Sequence, residues 1–131
     1  QMTSEKFTVE IISPEKSIIK IETHEVIIPS YEGEMGILRD HIPLITFLRP
    51  GIVTIKNSDD KMYYVEEGTV EFTNNELLIL SATAISIKDI KNDDIEKLII
   101  KSEEQINKST INDKERYLLS HKLSILKEIR K

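Results

Sequence analysis

With 131 residues, 39% of them hydrophobic and 31% charged, the chain has the length of one domain or two small parts and the apolar content for a core. Cysteine is absent, which excludes a disulfide framework, a thiolate metal site and a cysteine nucleophile, and is compatible with a reducing compartment. The net charge of −5 weighs against nucleic acid as a partner, and no apolar run approaches the ~18 residues of a membrane span.

The predicted elements begin with strands. Across residues 6–87 apolar and polar positions alternate. Phe7, Val9 and Ile11 alternate with Thr8 and Glu10, Ile19 and Ile21 with Lys20 and Glu22, and Val53 and Ile55 with Thr54 and Lys56. Val70 and Phe72 flank Glu71, and Ile85 and Ile87 flank Ser86. Period-two patterning of this kind reads as half-buried strands. Turn signals separate them at Ser13-Pro14, at 57–60 and at Asn74-Asn75. The alternating N-terminus is not the apolar block of a secretory signal. Many short strands with such spacing suggest a β-sandwich or barrel.

Near residue 92 the period changes. Asp93 with Glu96 offers a capping box, and Asn92 is an alternative cap. Ile95, Leu98, Ile99, Ser102 and Ile106 then share one helical face. Residues 109–112 interrupt it, and Asn112 with Glu115 offers a second capping box. Leu118, Leu119, Leu123, Ile125, Leu126 and Ile129 form a wider apolar face. The spacing predicts helices over about 92–108 and 112–130, joined as an antiparallel hairpin. Strands followed by helices make the fold class α+β, with a division at 1–88 and 89–131. Residues 1–86 carry seven Lys and Arg against fourteen Asp and Glu, whereas 87–131 carry eleven against nine, so the two parts present different surfaces. A hairpin of about 40 residues buries too little to stand alone and must dock on the sandwich or on a partner.

The most specific stretch is 29–51. Gly33-Glu34, Gly36-Ile37-Leu38, His41, Pro43-Leu44, Thr46, Leu48 and Pro50-Gly51 fall in one closely spaced series. The series resembles G-E-x-G-I-L-x-x-H-x-P-L-x-T-x-L-x-P-G of the epsilon subunits of F-type ATP synthases. A second, weaker match covers 64–72 and 78–84, where Glu67-Gly68 stands in place of the family's Gly-Gly. The resemblance spans nearly the whole chain. It implies an N-terminal ten-stranded β-sandwich and a C-terminal helical hairpin. It also implies a non-catalytic central-stalk subunit that joins gamma to the membrane c-ring and restrains ATP hydrolysis through its hairpin. Such a subunit is peripheral, on the cytoplasmic face of the bacterial plasma (inner) membrane, and is held by protein contacts without a lipid anchor.

On that resemblance Glu32, Gly33 and Glu34 face the polar loops of the c-ring, with His41, Pro43 and Leu44 nearby at the joint between gamma and the ring. Without it, Glu32-Gly33-Glu34 is an exposed acidic loop and Pro43-Leu44 is ordinary packing. Lys122, Lys127, Arg130 and Lys131 lie on the last helix, where the final three complement the helix dipole. The resemblance gives them a second use, as an inhibitory arm that reaches acidic segments of the catalytic beta subunits, within the alpha/beta assembly that the C-terminal helix is expected to contact.

No enzyme site is assembled. Asp40 and His41 are adjacent, so on an extended chain they point to opposite faces, and no nucleophile accompanies them. His24, His41 and His121 lack metal-ligand spacing. Some family members bind ATP through [I/L]-D-x-x-R-A, but here Lys91 replaces the Asp and Asp94 replaces the Arg. Asp94 repels phosphate, and no Walker-type loop is present, so no cofactor is expected. The competing reading is a stand-alone β-sandwich binding module with a helical self-association tail.

Overall fold

A computed structural model of the chain describes residues 5–130. Ten strands come first: β1 Phe7–Ile12, β2 Ser17–Thr23, β3 Glu25–Ser30, β4 Gly33–Leu38, β5 Leu44–Leu48, β6 Gly51–Lys56, β7 Lys61–Val65, β8 Gly68–Thr73, β9 Glu76–Leu80 and β10 Ile85–Ser86. Two helices follow, α1 Asn92–Ile106 and α2 Asp113–Ile129. The chain thus has the α+β fold expected, a ten-stranded β-sandwich followed by an antiparallel helical hairpin.

The strands form one continuous ladder in the order β10-β7-β6-β3-β5-β8-β9-β1-β2, with β4 paired to β3. Only β1 against β9 is parallel. The ladder curls so that its alternating apolar positions meet inside. Phe7, Val9 and Ile11 of β1 are buried, as are Val53 and Ile55 of β6 and Val70 and Phe72 of β8. Phe7 and Phe72 meet edge to face at 5.6 Å. This is the main core.

Two turns show how local sequence sets the register. Asn74 and Asn75 both take left-handed backbone, φ 52° and 58°, between the paired Thr73 and Glu76. That geometry fits the twist of a two-residue hairpin, and Asn tolerates it. At Gly68 (φ 158°) an added Cβ would collide with the Leu80 carbonyl oxygen. Glycine is therefore required at position 68, whereas exposed Glu67 is accommodated before it.

The hairpin docks on the sandwich. Ile95 and Ile99 of α1, Leu126 of α2, Ile90 and Tyr64 of β7 form a second buried cluster, edged by Ile52, Ile85 and Ile87. The capping box of α2 is present: Asn112 Oδ1 accepts from Glu115 N at 2.8 Å, and Asn112 N donates to Glu115 Oε1 at 2.9 Å. The box expected at Asp93 and Glu96 is not made. The helix starts two residues earlier than that box implies, with Lys91 as N-cap and no capping side-chain bond there. Asp93 and Asp94 instead lie in the first turn, where they complement the helix dipole. Glu96 is directed to Arg130, 3.3 Å away. Ser102, on the expected apolar face, is fully buried, and its Oγ has no hydrogen-bond partner.

Candidate functional site

Strand β4 separates two groups that the sequence reading placed together. Ser30 pairs with Gly33 at one end of the β3–β4 ladder, and Glu25 pairs with Leu38 at the other. Glu32, Gly33 and Glu34 therefore lie at the Tyr31-Glu32 turn, and His41, Pro43 and Leu44 follow the far end of β4. Six residues of strand put roughly 20 Å between the two ends. The expectation that they are neighbours is corrected on this point, because the intervening Met35-to-Leu38 segment is extended strand, not loop.

At the far end the β4–β5 loop is tied to the β8–β9 turn. Asp40 N donates to Asn75 Oδ1 at 2.6 Å, and Asn75 Nδ2 donates to Asp40 Oδ1 at 3.0 Å. Asp40 itself has φ 67°. His41 Nδ1 donates to the Ile42 carbonyl at 2.7 Å, and its ring meets Phe72 edge to face. Asp40 and His41 thus have separate partners. Pro43 is exposed, Leu44 is half-buried against the main core, and Ile42 is 74% exposed at the tip.

Glu32 and Glu34 are exposed at the other end. Ser30 Oγ closes this turn by donating to the Gly33 carbonyl at 2.5 Å. Tyr31, within the turn, packs against Tyr117 of α2 at 5.2 Å. Tyr117 Oη donates to the Tyr31 carbonyl at 2.7 Å and accepts from Arg49 Nη1 at 3.0 Å. The same Nη1 lies 3.4 Å from His121 Nε2, and His121 meets Tyr117 edge to face at 4.6 Å. Burial and, second, the Arg49 charge hold the His121 pKa below its ordinary value.

Three arm cations are already paired within the chain. Lys122 Nζ lies 3.2 Å from Glu66 Oε2, Lys127 Nζ 3.5 Å from Glu103, and Arg130 Nη1 3.3 Å from Glu96. The Lys122 pair is the most sheltered, and Glu66 also accepts from Tyr64 Oη at 2.9 Å. Burial and then the Glu66 charge push the Tyr64 phenol far above its usual range. Lys131 lies outside the described residues.

The outward face of the sheet carries a feature that alternation does not disclose. Ile45 and Phe47 of β5 are 76% and 63% exposed, and Leu80 of β9 is 43% exposed. Phe47 pairs with Thr69, which pairs with Leu80, which pairs with Ile12, so these four lie on one face. A groove of about 590 Å³ opens beside them, lined by Tyr31, Phe47, Leu48, Glu67, Gly68, Thr69, Lys114 and Leu118. A separate hollow beside α1 is lined by Tyr64, Glu66, Asp94 and Leu98 among others, with two carboxylates and no Lys or Arg. A polyphosphate finds no counter-charge on that lining.

The profile of the family described as "ATP synthase, Delta/Epsilon chain, beta-sandwich domain" matches residues 6–87. The chain belongs to this family. The ATP synthase epsilon chain of Pelagibacter ubique (strain HTCC1062) is 47% identical over 128 residues, covering 96% of this chain and 98% of that one. The epsilon chain of Parvibaculum lavamentivorans is 30% identical over 129 residues, covering 97% of each. Among solved structures, a chain of the Euglena gracilis mitochondrial ATP synthase (OSCP/F1/c-ring) superposes with a TM-score of 0.73 at 17% identity, covering 97% of this chain and 83% of that one. A chain of the Tetrahymena thermophila mitochondrial ATP synthase central stalk and c-ring gives 0.65 at 15% identity, covering 99% and 100%. At such identities the structures attest the fold. The epsilon-family sandwich thus occupies the strand region, and no helix among the described residues is long and apolar enough to cross a membrane.

The sequence reading missed Tyr31, Arg49, Tyr117 and His121 as one contact, and Glu66 as the partner of Lys122. The available signal was the i, i+4 spacing of Tyr117 and His121 on a predicted helix in a chain with 5% aromatics.

Proposed function

We propose that the chain is a non-catalytic central-stalk subunit of a proton-translocating F-type ATP synthase, with residues 1–88 coupling gamma to the c-ring and residues 89–131 regulating ATP hydrolysis. The observation that carries the rotor role is the outward apolar face of Ile45, Phe47 and Leu80, an exposed patch of the sort that marks a protein interface. Gamma is its proposed occupant. Pro43 and Leu44 run into the same face through Ile45, in a shallow hollow shared with Glu71 and Phe72, so they and His41 are assigned to the gamma side. Glu32, Gly33 and Glu34, at the opposite end, are assigned to the c-ring, where exposed carboxylates suit amide and basic groups. The location proposed is peripheral, on the cytoplasmic face of the bacterial inner membrane. The self-association alternative is weaker because Ile95, Ile99 and Leu126 are already buried against the sandwich of the same chain.

Regulation rests on the arm. In the docked pose Lys122, Lys127 and Arg130 are each paired internally. Only the Lys122–Glu66 pair joins the hairpin to the sandwich, and release of the hairpin breaks it. Lys127 and Arg130 pair with α1 inside the hairpin and become free for acidic segments of the catalytic beta subunits only when the two helices separate. Two variants of the reconstituted catalytic complex separate release from contact. Glu66→Gln frees the arm without altering it and lowers ATP hydrolysis. Replacement of all four cations by Glu raises hydrolysis, because the arm then repels its target. The regulatory assignment fails if hydrolysis is unchanged in both.

A further inference from the structure

We infer that Arg49, Tyr117 and His121 form a proton-operated latch that holds the hairpin on the sandwich when His121 is neutral and lets it go when His121 is charged. The latch concerns docking within this one chain and does not depend on what the released hairpin then contacts.

The geometry carries it. Arg49 sits in the β5–β6 connection of the sandwich, whereas Tyr117 and His121 sit one turn apart on α2. Arg49 Nη1 donates to Tyr117 Oη at 3.0 Å and points at His121 Nε2 at 3.4 Å. An arginine is always a donor, so Nε2 must be the unprotonated nitrogen of a neutral ring. Protonation turns that acceptor into a second cation facing a guanidinium. The edge-to-face contact with Tyr117 and the Tyr117–Tyr31 bond lie in the same cluster.

The surrounding charges do not cancel the effect. Glu34 of β4 and Glu128 of α2 line the same cleft as Arg49 and His121, together with uncharged Thr54, Met62 and Ser124. Among the described residues no carboxylate oxygen lies within 4.0 Å of a charged nitrogen of Arg49 or of a ring nitrogen of His121. Lys122, next along the helix, is committed to Glu66.

The sign follows from linkage. His121 has a docked-state pKa below its ordinary 6.5, for which burial and then Arg49 are responsible. The latch therefore contributes fully above about pH 6.5, and its contribution is lost as the pH falls through the docked-state value. The docking constant drops about tenfold for each unit between the two pKa values.

The absence of cysteine permits a clean test on the full chain. Asp59→Cys and Ser120→Cys, both at exposed positions, carry a pair of spin labels across the contact. Distances are measured at about pH 8 and about pH 5.5, either side of an ordinary histidine pKa. The labelled parent shows one docked distance at the higher pH and a second, longer and broader population after acidification. His121→Gln, which keeps an acceptor for Arg49 but does not titrate, stays docked at both. His121→Lys, permanently charged, is released at both. Circular dichroism of the strands confirms that each variant keeps the sandwich. The latch is refuted if the parent does not respond to acid, if His121→Gln releases as the parent does, or if His121→Lys stays docked at the higher pH.

Discussion

Truncation of Leu126 to alanine tests the idea that the hairpin is held as a unit by a small second core. Leu126 is fully buried and is the one residue of α2 that is, while Ile95 and Ile99 are its buried counterparts on α1. Leu→Ala in a core removes transfer free energy and leaves a cavity, at about 2–5 kcal/mol. Since about 1.4 kcal/mol is tenfold in an equilibrium constant, docking should weaken by roughly thirtyfold to a few thousandfold. The main core around Phe7, Val53 and Phe72 contains none of the atoms removed and should be indifferent. Amide hydrogen exchange resolved by segment is the assay. The account requires α1 and α2 to lose protection by the factors above while β1, β8 and β9 keep theirs. Equal losses in strands and helices would show one cooperative unit and refute a separately released hairpin, as would unchanged protection in α2.

Three further outcomes follow from single residues. Asn112→Ala removes the side-chain bond of the α2 capping box, from Glu115 N to Asn112 Oδ1, at about 1 kcal/mol, and exchange should rise in the first turn of α2 before it rises elsewhere. Ser102→Ala deletes a buried hydroxyl that has no partner, so the hairpin should become more protected, by up to the ~1–3 kcal/mol that an unsatisfied group costs. Gly68→Ala places a methyl against the Leu80 carbonyl, and thermal unfolding followed by strand dichroism should shift down by at least the ~1–3 kcal/mol of a strained backbone site.

What was legible in the sequence depended on which faces are apolar. Alternation exposed β1, β2, β6 and β8, because each buries one face and wets the other. It was blurred in β9, Glu-Leu-Leu-Ile-Leu, and in β5, Leu-Ile-Thr-Phe-Leu, where outward residues are apolar as well. Those outward residues are the proposed partner surface, so the pattern fails where function intrudes. Pro29 disguised β3; it is tolerated near the strand end, where its carbonyl accepts from Arg49 N. The capping box at Asn112 was readable because it is local. The Arg49–His121 contact joins residues 72 apart in sequence, and nothing in a single sequence pairs them. The separation of Glu32–Glu34 from His41–Leu44 was hidden for a related reason: the two groups are close in sequence, but the six residues Gly33–Leu38 are extended as strand β4 and carry them to opposite ends.

The central claim is that this chain is a rotor part clamped through its outer sheet face. Calorimetric titration of the full chain with the gamma subunit of the same ATP synthase, repeated with Ile45→Glu and Phe47→Glu together, tests it most directly. The account predicts one-to-one binding by the parent chain, and loss of at least tenfold in affinity for the double variant with its strand dichroism unchanged. Binding of gamma that is indifferent to both substitutions, or no binding of gamma by the parent, would contradict it.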